Sequence, residues 1–441
     1  PDCAFWLMIV IRIMMAMLMK RMVVAAANAL LCRVLPQVPP GVHPKYSWMG
    51  VVAKLKVEAF GKVQKANASS VMASYWLTAA GAKVYPQCGN LEIGFMGGLL
   101  PDTLSISACN SSGAKTYSLM VEEDDSCITV RQSVLSSGCF VGNGAIVGAG
   151  VFRRNLTVGV VTWVPTNSYR MEAGEEASQK PMILFGNPPV EFPARTVQQS
   201  PDSALYEPTL SAFALRVVIT DIGRCFALVP LYLVPMVLVG LVFNISQRLP
   251  ADIQMKFLIG VTPIAALLWI VCLTALFICA KWLVVGRARE STHGMWDAFV
   301  QQNFYMWRLI SWFMPAMMCL SGTLALNPIL RALGLVIGHR SLIVDLNSYF
   351  DVDLLRIGSG VVLQRPRWQL HTFEDRILKL YNTNVGDGTL ITNSMIVGGA
   401  HVHSGAIVLN GSCVLKGEEL ASNGLYIGAP VTCVGGNACD A

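Results

Sequence analysis

A six-residue period dominates the C-terminal part of the chain. Between Val385 and Gly417 (VGDGTLITNSMIVGGAHVHSGAIVLNGSCVLKG), Leu390, Ile396, Val402, Val408 and Val414 recur every sixth residue. Val385, Ile391, Val397, Leu409 and Leu415 form a second register that only His403 interrupts. Six is neither a helix period nor a strand period. It is the period of a parallel β-helix, in which each short strand points one aliphatic side chain into a central stack and Gly, Asn or Ser turns the corner.

The rest of the chain is too apolar for a wholly water-soluble protein: 54% of residues are hydrophobic and 14% charged, which implies membrane helices. Cys225 to Ile245 carries no charge over 21 residues and Phe257 to Ala280 none over 24. Either run can cross a hydrocarbon core of about 30 Å at about 1.5 Å per residue. The connector SQRLPADIQMK is short, so the two runs read as a hairpin with the flanking soluble domains on one side. Arg216, Arg224, Lys281, Arg287 and Arg289 lie on that side, against Arg248 and Lys256 in the connector, a bias that points the soluble domains into the cytoplasm.

Residues 3–32 are apolar but carry Arg12, Lys20 and Arg21, which leaves two readings open, a membrane helix with snorkelling ends or an interfacial helix. Residues 305–333 are apolar again, broken by Arg308, Pro315, Gly322 and Pro328. They read as a membrane-surface or re-entrant pair of short helices, because a further span would invert the second soluble domain relative to the first. The expected order is a membrane or interfacial segment and linker (1–76), a first β-helix domain (77–220), a transmembrane pair (225–285), an amphipathic or re-entrant linker (286–333) and a second β-helix domain (334–441). The chain opens at Pro1 inside an apolar run, without a signal-peptide layout, and reads as a fragment of something longer. Thirteen cysteines without a CxxC pair read as reduced, mostly buried thiols. The net charge of +6 is mixed along the chain and gives no case for a nucleic-acid surface.

The two halves are copies. DTLSIS (102–107) matches DLLRIG (353–358) at an offset of 251, which carries Val385 onto Val134, Ile391 onto Phe140, Val397 onto Ile146, Leu409 onto Val158 and Leu415 onto Val164. LTAAG (77–81) resembles LRALG (330–334), His43 before Tyr46 resembles His293 before Trp296, and Gly186-Asn187-Pro188 resembles Gly428-Ala429-Pro430. The first copy adds a polar loop around MEAGEEASQK.

A β-helix supplies a rigid surface, and its chemistry comes from loops that leave the coil. The loop here is QLHTFEDRILK, residues 369–379, between Val362 and Val385. Hexapeptide β-helices are most often acyltransferases, and acyl transfer to an amine needs a base near pH 7, for which a neutral imidazole such as His371 serves. Glu374 and Asp375 could hold a cationic acceptor, and Arg376 could fix them or meet a phosphate. The same charges could equally be a solvated ion-pair patch that orients the loop. His401 and His403 alternate on one strand and read as structural, and no third ligand makes a metal site of them. At the offset of 251, His371 falls on Met120, while Glu374 and Asp375 fall on Glu123 and Asp124. No histidine occurs from 44 to 292, so the first domain cannot use a histidine base.

KWLVVGRARESTHGMW (281–296), LRALGLVIG (330–338), DVDLLRIGSG (351–360) and HTFEDRILKL (371–380) resemble the C-terminal region of poly-lysine-synthetase-like non-ribosomal peptide synthetases. The resemblance implies an integral, multi-pass membrane protein with two tandem left-handed parallel β-helix domains of the trimeric acyltransferase type. It implies peptide-bond formation between a phosphopantetheine-carried aminoacyl thioester and an amino-acid amine, with adenylation and carrier domains upstream and no cofactor held in this region. His371, Phe373, Glu374, Asp375 and Arg376 match the family's loop, with His371 as base. It also suggests an intramolecular pseudo-trimer of β-helices, a hypothesis that a full-length structure with the β-helices apart would sink. Two other readings stay open: a non-catalytic membrane scaffold that docks carrier domains, and a coenzyme A-dependent small-molecule acyltransferase.

Overall fold

The computed structural model describes residues 3–67, 72–85, 91–95, 98–107, 111–136, 139–142, 144–152, 156–159, 161–166, 182–192, 209–218, 223–294, 296–344, 351–374 and 377–436. Its contacts divide the chain into two units, residues 17–217 and residues 218–441 together with 1–16. The polar loop around MEAGEEASQK lies outside the described residues.

Helix α1 (Cys3–Val34), which enters the first unit at Met17, leads to the strand Gly41–Pro44, then α2 (Trp48–Asn67), α3 (Ala73–Ala79), the β-helix strands and α4 (Leu210–Arg216). The second unit repeats the order. Helices α5 (Gly223–Ser246) and α6 (Ala251–Val284) lie against each other. The strand Ser291–Gly294, α7 (Ala298–Met318), α8 (Leu326–Ala332) and a second set of β-helix strands follow. Among the described residues one helix, α6, is long and apolar enough to cross a membrane by length and composition. Ile259, Leu267 and Val271 on it are exposed.

The second β-helix has three parallel faces. One runs through Val336–Ile337, Leu355–Ile357, Thr383–Val385, His401–Val402 and Glu419–Leu420. The others run from Leu342–Val344 to Gly424–Ile427 and from Arg367–Gln369 to Cys413–Val414. Val385, Ile391, Ile396, Val402, Val408, Val414 and Leu420 fill the interior. The stack thus follows one sequence register as far as Ile391 and the other from Ile396, because the corner through Asn393, in the left-handed region at φ 33, spans five residues instead of six. That shift takes His403 out of the stack: it sits exposed on a corner rather than in an aliphatic row.

The first β-helix is less regular. The long strand Ser111–Leu119 pairs with Phe140–Val141 and with Ile146–Gly148, joining two faces that stay separate in the second unit. Leu135, Val141, Val147, Val158 and Val164 are buried, whereas Val134, Phe140 and Ile146 are half-buried. The alignment at 251 is therefore one residue out beyond the first strands. Val130 faces Gly41 as Leu380 faces Ser291, an offset of 250, since the first unit carries one more residue between Ser107 and Val121. Each unit closes with an antiparallel hairpin through a cis-proline turn, Asn187–Pro188 or Ala429–Pro430.

One face of the 305–333 stretch packs on protein. The stretch contains most of α7, whose Phe304, Met306, Leu309, Ile310, Phe313 and Met317 are buried in one cluster with the β-helix interior. The apolar residues of that face belong to the core. The cysteines also depart from expectation: Cys32, Cys139 and Cys413 are buried, but Cys272, Cys279 and Cys319 are exposed and Cys433 is disulfide-bonded. Burial pushes the Cys413 thiol up to about 12, with the Glu418 carboxyl adding to the effect.

Candidate active site

The 369–379 segment is a β-hairpin. His371–Glu374 pairs antiparallel with Ile377–Leu380, whose other edge takes the strand Ser291–Gly294. The result is a three-stranded sheet standing apart from the parallel faces. Strand alternation puts His371 and Phe373 on one face, opposite the buried Leu380 and Leu378. This face meets α7.

Asp351 completes the site from twenty residues upstream. It begins the short 3-10 turn Val352–Leu354 with φ 57 and ψ 36, a left-handed conformation that Asp tolerates better than most residues. Its Oδ2 lies 2.6 Å from His371 Nδ1. A carboxylate can only accept, so Nδ1 carries the proton and Nε2 of the neutral ring keeps a lone pair. The imidazole stacks on Trp307 (centroids 4.4 Å, planes 17° apart) and meets Phe373 edge-on. Phe373 in turn stacks on Phe304 at 5.7 Å. With the side chains of His371 and Asp351 only 15% and 3% exposed, water competes little for the Nδ1–H···O bond and the ring orientation is fixed.

A second carboxylate stands behind the first. Asp353 is held by Lys281 Nζ at 2.8 and 2.7 Å and by the Ala288 backbone N–H at 2.7 Å. It fits there because residue 334 is glycine: a Cβ at Gly334 would lie 1.6 Å from Asp353 Oδ1. Lys281, Asn303, Met306, Trp307, Asp351 and Asp353 line a cavity of about 50 Å³.

The first unit keeps the frame and changes the contents. Leu100 stands where Asp351 does, ahead of the 3-10 turn Pro101–Thr103, in an extended conformation. The strand pairing places Val121, not Met120, at the position of His371. Leu100 and Val121 are both buried, so an apolar pair replaces the acid and the imidazole. Counting along α2 and α7 from the aligned strands, Val57 stands for Trp307, Lys54 for Phe304 and Lys56 for Met306. The contact between Phe304 and Phe373 becomes an ion pair between Lys54 and Glu123 at 2.7 Å. Lys45 shares that carboxylate, and hydrogen bonds from these two lysines hold it below the usual range.

Of the residues singled out from sequence, His371 lies in this site. Glu374 ends its strand and pairs with Ile377, and its side chain, like Asp375 and Arg376, lies outside the described residues. His401 is elsewhere, hydrogen-bonded to Asn384 at 3.0 Å in an open groove with Arg356. Sequence reasoning missed Asp351 and Trp307. A signal existed for Asp351: like His371, it is a polar residue of the second unit that the first replaces with an apolar one. Among the described residues, no group of three His, Cys, Asp or Glu side chains could hold a metal ion.

No family model matches the chain. Over 375 residues, 82% of its length, it is 27% identical to the Delta-poly-L-ornithine synthetase of Acinetobacter baumannii strain AB307-0294. The chain spans 26% of that protein. Similar solved structures include a maltose O-acetyltransferase from Clostridium difficile 630 (14% identity, 28% of this chain and 84% of that one, TM-score 0.21). A hexapeptide-repeat-containing acetyltransferase from Vibrio cholerae (13%, 38% and 92%, TM-score 0.22) and a soybean serine acetyltransferase (14%, 50% and 97%, TM-score 0.17) are also similar. These solved structures are thus acetyltransferases, and the curated relative is a poly-L-ornithine synthetase.

Proposed function

We propose that the chain is the acyl-transferring, peptide-bond-forming portion of a membrane-bound non-ribosomal peptide synthetase, with its chemistry in the second unit. The observation that carries this reading is the Asp351–His371 pair on a hairpin that leaves the β-helix. Likeness to a poly-L-ornithine synthetase supports amino-acid polymerisation over other acyl transfers. The donor is an aminoacyl thioester on the phosphopantetheine arm of a carrier domain, loaded by an adenylation domain.

His371 Nε2 takes a proton from the attacking amine as its nitrogen bonds to the thioester carbonyl carbon. The C–S bond then breaks, and the departing thiolate takes that proton back from the imidazolium. Asp351 keeps Nδ1 protonated and stabilises the cation in between. Glu374 and Asp375 hold the cationic acceptor near the hairpin tip, and Arg376 fixes them. Helices α5 and α6 form the membrane hairpin, with the basic residues beside them on the cytoplasmic face; exposed apolar side chains along α6 support a lipid surround.

The test is His371→Ala in the intact synthetase. Loading of the carrier thioester should persist while product formation falls by about 10²- to 10⁴-fold, the usual contribution of a positioned base. Unchanged product formation removes His371 from the mechanism and leaves the scaffold reading. Transfer from free coenzyme A thioesters without the carrier would favour the coenzyme A-dependent reading.

A further inference from the structure

The Lys281–Asp353 pair takes no part in the chemistry above, yet it lies within two residues of Asp351 and lines the same cavity. Its carboxylate is 1% exposed and its ammonium side chain 12%. Lys281 belongs to the last turn of α6, Ala288 to the segment after it, and Asp353 to the 3-10 turn that Asp351 begins. Asp353 therefore ties the end of an apolar helix to the turn that sets the backbone of Asp351. We infer that Asp353 and Lys281 are positioning residues: together they hold the Asp351 turn so that its carboxylate fixes the orientation and tautomer of His371. This rests on the reading of Asp351–His371 as the catalytic pair.

The first unit supplies an independent version of the clamp. Asp102, two residues after Leu100, accepts the Val38 backbone N–H at 3.1 Å and Lys56 Nζ at 2.7 Å. Val38 corresponds to Ala288, so the backbone donor is unchanged. The lysine, however, comes from α2 instead of the apolar helix. Position 31, the counterpart of Lys281, is Leu31, and position 306, the counterpart of Lys56, is Met306. Met306 lines the cavity beside Asp353. A lysine there would approach the carboxylate from α7, by the route the first unit uses. The clamp is thus defined by its acceptor and can be supplied from either helix.

This equivalence gives the test. In the intact synthetase, Lys281→Met should slow product formation by up to about a hundredfold, as a displacement near 1 Å does, with carrier loading unaffected. The double variant Lys281→Met, Met306→Lys should recover most of it. A second readout is independent of the reaction: diethylpyrocarbonate labelling of His371, followed by mass spectrometry of its peptide. It should run several-fold faster in Lys281→Met and in the control Asp351→Asn, and return to the wild-type rate in the double variant. If Lys281→Met lowers the unfolding temperature but leaves His371 labelling unchanged, the pair is structural and the inference falls. Should Lys281→Met fail to fold, the double variant decides alone: wild-type labelling supports the inference and faster labelling overturns it. Normal product formation by His371→Ala would instead defeat the functional reading, while the labelling comparison would still decide the positioning role.

Discussion

Residue for residue, the hairpin of the first unit meets α2 through the Lys54–Glu123 ion pair, where the hairpin of the second meets α7 through the Phe304–Phe373 stack. Beneath these contacts, Leu100 and Val121 sit where Asp351 and His371 form their hydrogen bond. The frame is common to both: a linker strand pairing with the hairpin, a 3-10 turn, a lysine-paired Asp, buried in the second unit and half-buried in the first, and a β-helix behind. The difference shows how the two faces of the hairpin contact are traded. In the second unit a polar pair is enclosed by aromatic rings, and in the first an apolar pair is covered by exposed charges. A buried acid–base pair needs walls that exclude water, and a lysine–glutamate contact at the rim provides none.

The comparison can be broken most sharply at Asp351. Asp351→Asn keeps the shape and tolerates the left-handed backbone, but lets the amide favour the other histidine tautomer. Product formation should fall by about 10²- to 10⁴-fold with carrier loading intact. Activity near wild type would reduce the second unit to a variant of the first.

A smaller effect follows from importing the first unit's rim. Phe304→Lys with Phe373→Glu should keep the hairpin paired but open the side of the His371 ring. The lost aromatic geometry costs about 0.5–1.5 kcal/mol beyond the area exposed. Thermal unfolding should shift down, and product formation should fall less than in Asp351→Asn. An equal or larger fall would show that the rings, more than the carboxylate, set the base.

The smallest effect is expected at the hairpin tip of the first unit. Asp124 accepts backbone N–H groups from Cys127 at 2.6 Å and Ser126 at 2.8 Å, and these hold its carboxyl below the usual range. A group whose folded pKa is depressed adds stability above its unfolded value, and that stability is lost as pH falls through the folded value. Asp124→Ala should therefore be slightly less stable than wild type at neutral pH and converge with it in acid. A gap that persists in acid would assign the effect to packing.

The β-helix and the apolar helix pair were legible because both rest on periodicity and composition. What escaped were single-residue shifts and distant partners. The corner at Asn393 shortens one coil, and the added residue before Val121 slides the register between the two units; neither leaves a mark in an aliphatic pattern where Val and Ile occupy adjacent positions. Asp351 is twenty residues from His371 and reaches it only because the hairpin folds back over the turn. Trp307 was hidden in a run whose apolarity suggested a bilayer, when its neighbours are buried against the β-helix. Arg33 and Trp282 could not be matched either. Arg33 donates to the Ala79 carbonyl and Trp282 to its counterpart Ala332, from unlike residue types at non-matching positions.

The lysine that pairs with the carboxylate comes from α6 in one unit and α2 in the other. Two copies that share the carboxylate but draw its cation from different helices are separated by a stage with both lysines or with neither. With neither, a buried carboxylate would keep only one backbone N–H, and losing one partner of such a pair costs about 3–5 kcal/mol of a total stability of about 5–15 kcal/mol. With both, the surplus ammonium could extend toward water along its flexible stem, as the partial exposure of Lys281 allows. Gain before loss is thus the less damaging order in which a lysine could be exchanged between the two helices. Met306→Lys with Lys281 retained would rebuild that stage, and its folding to near wild-type stability would support this order.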